Sequence, residues 1–169
     1  NYLVRENLLR TNPADGVKTP KAPKKLPDIL DVDQINQLLN IKDTNPISLR
    51  DKAIMELLYS SGLRLAELVA LNPIDLNIQD RSLTVIGKGN KKRMLPIGSK
   101  AIVSIKAWIK VRSQIASPDE EALFVGNRGN RLSRRSIQSR INHWAKKNDL
   151  QRDVYPHLLR HSFATHLLE

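Results

Sequence analysis

The sequence predicts a mainly α-helical domain with one small antiparallel β-sheet, which is an α+β fold. Apolar residues recur at helical spacing across residues 31–72 and in three later segments. The spacing changes to alternation only over residues 82–97, where a glycine-rich break separates two candidate strands. The chain has 169 residues and 40% hydrophobic content, which is enough for one domain with a buried core and a short appendage.

Residues 1–27 are predicted to lie outside this domain, which then spans 28–169. The segment "YLVREN" is interpreted as the end of a helix of a preceding domain, with an unstructured tail as the alternative. Residues 10–27 hold four prolines and five bases. Because proline removes backbone donors and stops helices, they predict an extended basic linker. The sequence begins at Asn1 without a methionine, so we expect a fragment of a longer protein.

The first part of the domain predicts three consecutive helices. Asp31 is a suitable N-cap for "VDQINQLLNI", where apolar residues return every three or four positions. "SLRDKAIMELLYSS" predicts a second helix that ends at Gly62, because glycine readily adopts the left-handed conformation that closes helices. "RLAELVAL" predicts a short third helix.

The second part of the domain predicts a hairpin and then further helices. "SLTVIGKGNKKRMLPI" alternates on both sides of its glycine-rich centre, which is typical of a β-hairpin. Two helices and one short strand or extended piece follow, in the order "AIVSIKAWIKVRSQI", "ALFV" and "SRRSIQSRINHWAKKN", the last starting at Ser133. A closing helix begins near Pro156, and its predicted packing residues are Leu158, Leu159, Phe163 and Leu167.

Charge is the property that narrows the function. The 28 Lys and Arg against 17 acids give a net charge of +11. Residues 28–80 carry nine acids and four bases, whereas residues 81–100 carry six bases and no acid, and residues 128–152 carry eight bases and one acid. This segregation indicates contact with the phosphate backbone of nucleic acid. A ribosome-type structural protein or a protein that binds anionic membranes would share the net charge.

Several classes are disfavoured by what the sequence lacks. Cysteine is absent, so we expect neither disulfides nor thiolate metal sites, and we expect a reducing, cytoplasmic setting. No run of about 18 apolar residues exists, so no membrane span is predicted. His157 and His161 have the spacing of a zinc-binding pair but lack the glutamate of that motif, so neither a metal nor a cofactor is expected.

In four places the sequence carries polar residues that folding alone does not explain. Arg64 follows Gly62, and Glu67 could hold its guanidinium, although a purely structural ion pair is the alternative. Lys88 lies between two glycines, which let a backbone approach phosphate, although a solvated turn is the alternative. The helix from Ser133 has a basic surface. The candidate contacts to a DNA backbone are Lys91, Lys92, Arg93, Arg134, Arg135 and Arg140.

The closing helix carries the fourth group. His157, Arg160 and His161 are three and four positions apart, so they share one face, with a packed or solvated histidine pair as the alternative. Two arginines, a lysine and a histidine without a metal suit phosphodiester chemistry. Arginine offsets the charge that builds on phosphorus, histidine exchanges protons near neutral pH, and lysine can protonate a leaving alkoxide. A nucleophile is missing from this set.

Three stretches resemble the motifs of the tyrosine recombinase (phage integrase) family: "GLRLAEL", "GKGNKKRMLPI" and "HLLRHSFATHLLE". The nearest likeness is to the Xer-type chromosome-dimer recombinases, XerC branch, and it covers essentially the whole chain. The resemblance implies a tyrosine recombinase catalytic domain, with residues 1–27 as the end of a core-binding domain and its linker. It implies site-specific DNA recombination by strand cleavage and rejoining through a 3′-phosphotyrosyl intermediate.

The resemblance also assigns roles by motif position. Arg64 and Arg160 would be the two catalytic arginines that bind the scissile phosphate. Lys88 would be the general acid for the 5′ oxygen, and His157 the acid/base histidine. The supporting residues would be Glu67 and His161.

One departure from the family is large. The family continues with another histidine or tryptophan and then the nucleophilic tyrosine, but this sequence ends at Glu169, before both. Tyr2, Tyr59 and Tyr155 do not occupy that position, and Tyr155 is expected to pack or to contact backbone. The chain as given is therefore predicted to bind DNA and not to cleave it.

Other readings stay open on the sequence alone. A phage or transposon integrase of the same family would use the same motifs, and a non-catalytic basic nucleic-acid-binding module would use the same charge. A metal-dependent nuclease would need paired carboxylates, yet the acids of 28–80 are scattered. The Xer resemblance further implies a double-stranded recombination site, a sister recombinase (XerD-like) in a heterotetramer, a DNA translocase (FtsK-like), and a role in chromosome partition at cell division, without a membrane partner.

Overall fold

The computed structural model describes residues 2–12 and 29–168. The helices are α1 (Tyr2–Arg5), α2 (Val32–Leu39), α3 (Pro46–Ser61), α4 (Leu65–Ala70), α5 (Ser99–Arg112), α6 (Arg134–Lys147) and α7 (Pro156–His166). The strands are β1 (Leu76–Asn77), β2 (Ser82–Ile86) and β3 (Lys92–Pro96). The predicted fold class, mainly helical with a small antiparallel sheet, is confirmed. Within the described residues, no helix is both long and apolar enough to cross a membrane.

The structure describes only residues 2–12 of the N-terminal segment 1–27. Residues 2–5 form the short helix α1. Most of the predicted linker lies outside the described residues, because the description stops at residue 12 and resumes at 29. The division into 1–27 and 28–169 therefore stays a prediction.

The predicted helix boundaries rest on local hydrogen bonds. Asp31 caps α2, since its carboxylate accepts the N–H of Gln34 at 2.8 Å. Helix α3 begins at Pro46, two residues before the predicted stretch, because the side chain of Asn45 caps it and proline suits a first turn. At its other end Gly62 has φ +56°, the left-handed conformation predicted for it.

The sheet is antiparallel in the order β1-β2-β3. Strands β2 and β3 form the predicted hairpin, with Val85 opposite Arg93. Its tip is a 3₁₀ turn over Lys88–Asn90, closed by the N–H of Gly87, which donates to the Lys91 carbonyl at 2.9 Å. Strand β1 was not predicted, because two residues are too few to show alternation.

The core surrounds α3, which packs against α5, α6 and α7. Leu57 and Leu58 of α3 are fully buried, as are Leu158 and Leu159 of α7. The predicted packing of Leu167 is wrong: it is 71% exposed, because α7 ends one residue earlier and its side chain lies beyond the core. Helix α7 is thus anchored through its first two turns, which carry the predicted polar face.

Candidate active site

The loop between α3 and α4 places Arg64. Arg64 is the N-cap residue of α4, and its own N–H donates to Glu67 Oε2 at 2.9 Å. Its Nη1 donates to Glu67 Oε1 at 3.1 Å. The Glu67 side chain is only 6% exposed, whereas that of Arg64 is 59% exposed. The carboxylate therefore holds the arginine from one side and leaves most of its guanidinium open to solvent.

The same loop receives Arg160 from α7. Arg160 Nη1 donates to the carbonyl of Gly62. A Cβ at Gly62 would lie 2.6 Å from the ring of Phe163, so only glycine allows α7 to approach this closely. Gly62 thus serves both the left-handed turn and the close packing that brings Arg160 beside Arg64.

Arg64, His157 and Arg160 line one cleft of about 400 Å³. The remaining walls are Leu63, Leu65, Gln138, Tyr155 and Pro156. Two guanidinium groups and an imidazole, predicted from separate motifs, therefore meet at one solvent-accessible place. Such a set can bind a tetrahedral anion and exchange a proton with it.

Glu67 stays ionised at the base of this cluster. Burial acts to raise its carboxyl pKa, but the N–H of Arg64 and the guanidiniums of Arg93 and Arg64 outweigh burial, so the pKa lies below its ordinary value of 4.5. The carboxylate is therefore a permanent anchor for the arginines at neutral pH.

Arg160 lies in a positively charged environment. Burial lowers the pKa of its guanidinium, and the charges of Arg64 and Arg93 lower it further, against the opposing charge of Glu67. Arginine nevertheless stays protonated at neutral pH. The cluster therefore holds three positive charges against one negative charge, and an anion in the cleft would relieve the repulsion.

Arg93 points inward, in contrast to the solvent-facing DNA contact predicted for it. Its Nη2 donates to both oxygens of Glu67, at 2.8 and 2.9 Å. The side chain is 36% exposed. Strand alternation gives the reason: Arg93 pairs with buried Val85, so it lies on the inner face of the hairpin.

The two histidines of α7 contact each other. Their Nε2 atoms are 3.1 Å apart, and the ring centroids of His157 and His161 are separated by 4.4 Å. This contact is a hydrogen bond only when one nitrogen carries a proton and the other does not. The contact places His161 beside His157, and His157 is the one that lines the cleft.

Two tyrosines of the described chain have distinct surroundings. Tyr155 is the N-cap residue of α7, is 38% exposed and lines the cleft. Tyr59 lies on α3, and its hydroxyl contacts His166 Nδ1 at 3.0 Å. The Tyr59–His166 contact joins the last turn of α7 to the central helix.

The other basic residues of the hairpin tip are Lys88, Lys91 and Lys92, which precede Arg93 in the sequence. Lys91 and Lys92 are exposed. The backbone of Lys88 belongs to the 3₁₀ turn, and its side chain lies outside the described part of the structure. Its predicted role therefore stays a prediction.

Helix α6 divides its basic residues between surface and interior. Arg134 and Arg135 are exposed, as predicted for contacts to a DNA backbone. Arg140 instead donates through Nε to buried Asp51 at 2.6 Å and is 31% exposed. The helical period explains the difference, because Arg140 shares the face of Ile137 and Trp144. It joins α6 to α3.

The structure adds one candidate phosphate contact, Arg128, which belongs to the basic segment 128–152 but was not predicted individually. Arg128 is exposed and lines a cleft of about 620 Å³ together with Arg135. Because it lies in a loop, no periodic pattern marks its direction. Within the described ranges, no group of three or more His, Asp or Glu residues is arranged to hold a metal ion.

Known proteins resemble this chain over most of its length. Residues 28–169 match the Phage integrase family. "Tyrosine recombinase XerC" of Shewanella amazonensis is 54% identical over 168 residues, which cover 99% of this chain and 56% of that protein. The chain spans about half the length of the curated relatives it matches.

Solved structures share the fold. The XerA recombinase has a TM-score of 0.75 and 28% identity, covering 85% of this chain and 52% of that one. The XerH site-specific recombinase, bound to its difH substrate in a pre-cleavage complex, has a TM-score of 0.72 and 24% identity, covering 88% and 45%. The resemblance read from the three sequence motifs is confirmed: the chain belongs to the phage integrase family, the family of the tyrosine recombinases.

Proposed function

We propose that this chain is part of the catalytic domain of a tyrosine site-specific recombinase, which cuts and rejoins DNA through a 3′-phosphotyrosyl intermediate. The observation that carries the proposal is the single cleft shared by Arg64, His157 and Arg160. The name of the relatives, tyrosine recombinase XerC, supports the same activity. The nucleophilic tyrosine would be supplied from outside these 169 residues.

The proposed chemistry uses the two arginines and the histidine of the cleft together with Lys88. Arg64 and Arg160 bind the non-bridging oxygens of the scissile phosphate. The tyrosine oxygen attacks phosphorus, the bond from phosphorus to the 5′ oxygen breaks, and the 3′ phosphate becomes joined to tyrosine. His157 takes the proton of the tyrosine, and Lys88 gives a proton to the leaving 5′ oxygen. Rejoining runs the same steps in reverse.

The charge of the cluster suits this reaction. A phosphodiester carries one negative charge, and a second develops as phosphorus becomes five-coordinate. Three guanidiniums less one carboxylate leave two positive charges beside the cleft. Fixed donors of this kind are worth about 10²–10³ in rate each, because they act where charge develops. Glu67 keeps Arg64 oriented, and His161 supports His157.

The proposed substrate is a double-stranded recombination site. The exposed bases Lys91, Lys92, Arg134 and Arg135 would contact its backbone, since such contacts fix register without reading sequence. The XerH complex with its difH substrate supports DNA as the partner.

The Xer resemblance extends the proposal to protein partners. These are a sister recombinase (XerD-like) in a heterotetramer and a DNA translocase (FtsK-like), acting in chromosome-dimer resolution. The test is a native gel of the complete protein with its recombination site, with and without the sister recombinase. We expect cooperative binding by the pair; independent binding by each would argue for a phage or transposon integrase instead.

A suicide-substrate assay on the complete natural protein tests the catalytic proposal. We expect a covalent protein–DNA adduct in the presence of EDTA. Arg160→Ala should slow adduct formation by about 10²–10³ while changing DNA affinity far less, because Arg160 acts on developing charge. Lys106→Ala, which removes an exposed charge on α5, is the control and should match the wild type.

Two results would contradict the proposal. Equal losses of affinity and rate in Arg160→Ala would indicate simple phosphate binding, as in a non-catalytic module. Cleavage that EDTA abolishes would indicate a metal-dependent nuclease.

A further inference from the structure

We propose that Arg93 is a positioning residue: it fixes Glu67 and the hairpin tip against the Arg64–Arg160 cleft, rather than binding the DNA backbone. The inference rests on the proposed recombinase function. It also replaces the role that the charge pattern of the hairpin predicts for Arg93.

The first support is that Glu67 accepts hydrogen bonds from the guanidiniums of both Arg93 and Arg64. Arg93 Nη2 contacts both carboxylate oxygens, at 2.8 and 2.9 Å, whereas Arg64 reaches one oxygen through Nη1 at 3.1 Å. Arg93 is also the less exposed of the two arginines, at 36% against 59%. Arg93 therefore fixes the orientation of the carboxylate together with the N–H of Arg64, and the carboxylate then orients the Arg64 guanidinium, most of which stays open.

The second support is the contact with the hairpin tip. A Cβ at Gly87 would lie 2.8 Å from Arg93 Nη1, so the guanidinium rests directly on the Gly87 backbone. Gly87 immediately precedes Lys88, and its N–H closes the tip by donating to the Lys91 carbonyl. Arg93 thereby links two parts of the molecule: the hairpin turn, whose backbone includes Lys88, and the start of α4.

The third support is the direction of charge. Arg93 does not line the cleft, and it offsets the negative charge of Glu67. The positive charges of Arg64 and Arg160, which do line the cleft, therefore remain available to the substrate. A DNA contact by Arg93 would require its guanidinium to leave a carboxylate that is 6% exposed and would lose a charged partner. Adjacent Lys92 is exposed on the opposite face of β3 and has no such constraint.

The test compares two neighbouring positions in the complete natural protein. Arg93→Gln and Arg93→Lys are measured beside Lys92→Gln, with Lys106→Gln on α5 as the neutral control. Affinity for the recombination site is followed as a function of salt, and adduct formation is followed in single turnover at saturating DNA. Thermal unfolding of each variant is measured in parallel.

We expect Arg93→Gln to slow adduct formation by about 10- to 100-fold, which is the loss of one strong charged hydrogen-bond pair. Its affinity and salt slope should stay within about twofold of the wild type. Arg93→Lys should stay slow, because one ammonium cannot occupy both the Nη2 position on Glu67 and the Nη1 position against Gly87. Lys92→Gln should instead weaken affinity and lower the salt slope by about one phosphate contact.

A double-mutant cycle separates positioning from an independent role. If Arg93 acts through Glu67, the rate loss of the variant that combines Glu67→Gln and Arg93→Gln should be smaller than the product of the two single losses. Multiplicative losses would overturn the inference. So would full recovery of the rate by Arg93→Lys, or an Arg93→Gln variant that loses affinity like Lys92→Gln and cleaves normally at saturation. If Arg93→Gln does not fold, Arg93→Lys decides between the same outcomes. A wild-type protein that forms no adduct would instead overturn the proposed function.

Discussion

Two clusters in this chain are each built on a carboxylate that two arginines hold, and they differ in how far they open to solvent. Asp51 accepts from Arg50, Arg140 and the indole N–H of Trp144. Arg50 and Asp51 are each 1% exposed, and Arg50 Nη1 also donates to the Val125 carbonyl at 2.9 Å. Each charged group in this cluster has a partner within the protein, and Arg140, at 31%, is the member that is partly exposed.

The Glu67 cluster also pairs a carboxylate with arginines, but those arginines are more exposed. Its carboxylate is buried, but Arg64 is mostly exposed and Arg160 lies in a cleft beside it. The contrast shows that charge composition does not separate an ion pair closed within the protein from one whose cations stay open to a ligand. Burial of the cations and the balance of charge around the carboxylate separate them.

The largest effect on stability is expected at the closed cluster. Asp51→Ala leaves the buried guanidinium of Arg50 without its counterion, so the free energy of unfolding should fall by about 3–5 kcal/mol. Urea denaturation measures this loss. The matched control is Asp43→Ala, whose partner Lys147 is exposed, and it should cost less than about 1 kcal/mol. Similar losses in both variants would contradict the distinction between the two kinds of ion pair.

A smaller, pH-dependent effect is expected at the open cluster. Because the Glu67 pKa is lowered in the folded protein, its contribution to stability is complete above the ordinary pKa of 4.5 and is lost as the pH falls through the folded value. The wild type should therefore exceed Glu67→Gln in unfolding free energy at neutral pH, and the difference should shrink in acid. Denaturant titrations across pH measure it, and a difference that does not vary with pH would contradict the assignment of the carboxylate.

The smallest effect is expected at Tyr155. Tyr155 lines the cleft but is not at the position of the family nucleophile, so Tyr155→Phe in the complete protein should change adduct formation by no more than about twofold. Quenched single-turnover cleavage measures it. Loss of the covalent adduct would mean that Tyr155 is itself the nucleophile and that the chemistry of the cleft has been misassigned.

Much of the site could be predicted from the sequence because its residues lie in local motifs. Arg64 and Glu67 are one helical turn apart, and His157 and Arg160 are three positions apart, so local geometry fixes each pair. The meeting of the two pairs depends on Gly62, whose left-handed turn was predicted but whose contact with Phe163 is a tertiary fact. Periodicity describes one element at a time and cannot supply such a contact.

The clustering of positive charge in the sequence does not show which way each side chain points. Arg93 alternates with exposed Lys92, and Arg140 shares the helical face of Ile137 and Trp144, so both patterns already indicated an inward side chain. The hairpin tip and the basic face of α6 therefore contain fewer exposed contacts than their sequences suggest.

The most direct test of the shared cleft replaces the scissile phosphate by a neutral methylphosphonate. In the complete protein, Arg160→Ala should slow cleavage of ordinary DNA by about 10²–10³. The same substitution should cost far less on the neutral substrate, where there is less charge for the guanidinium to offset. The wild type and Lys106→Ala serve as references on both substrates. An equal factor on the two substrates would mean that Arg160 does not act on the charge of the scissile phosphate, and that the cleft does not have the role proposed for it.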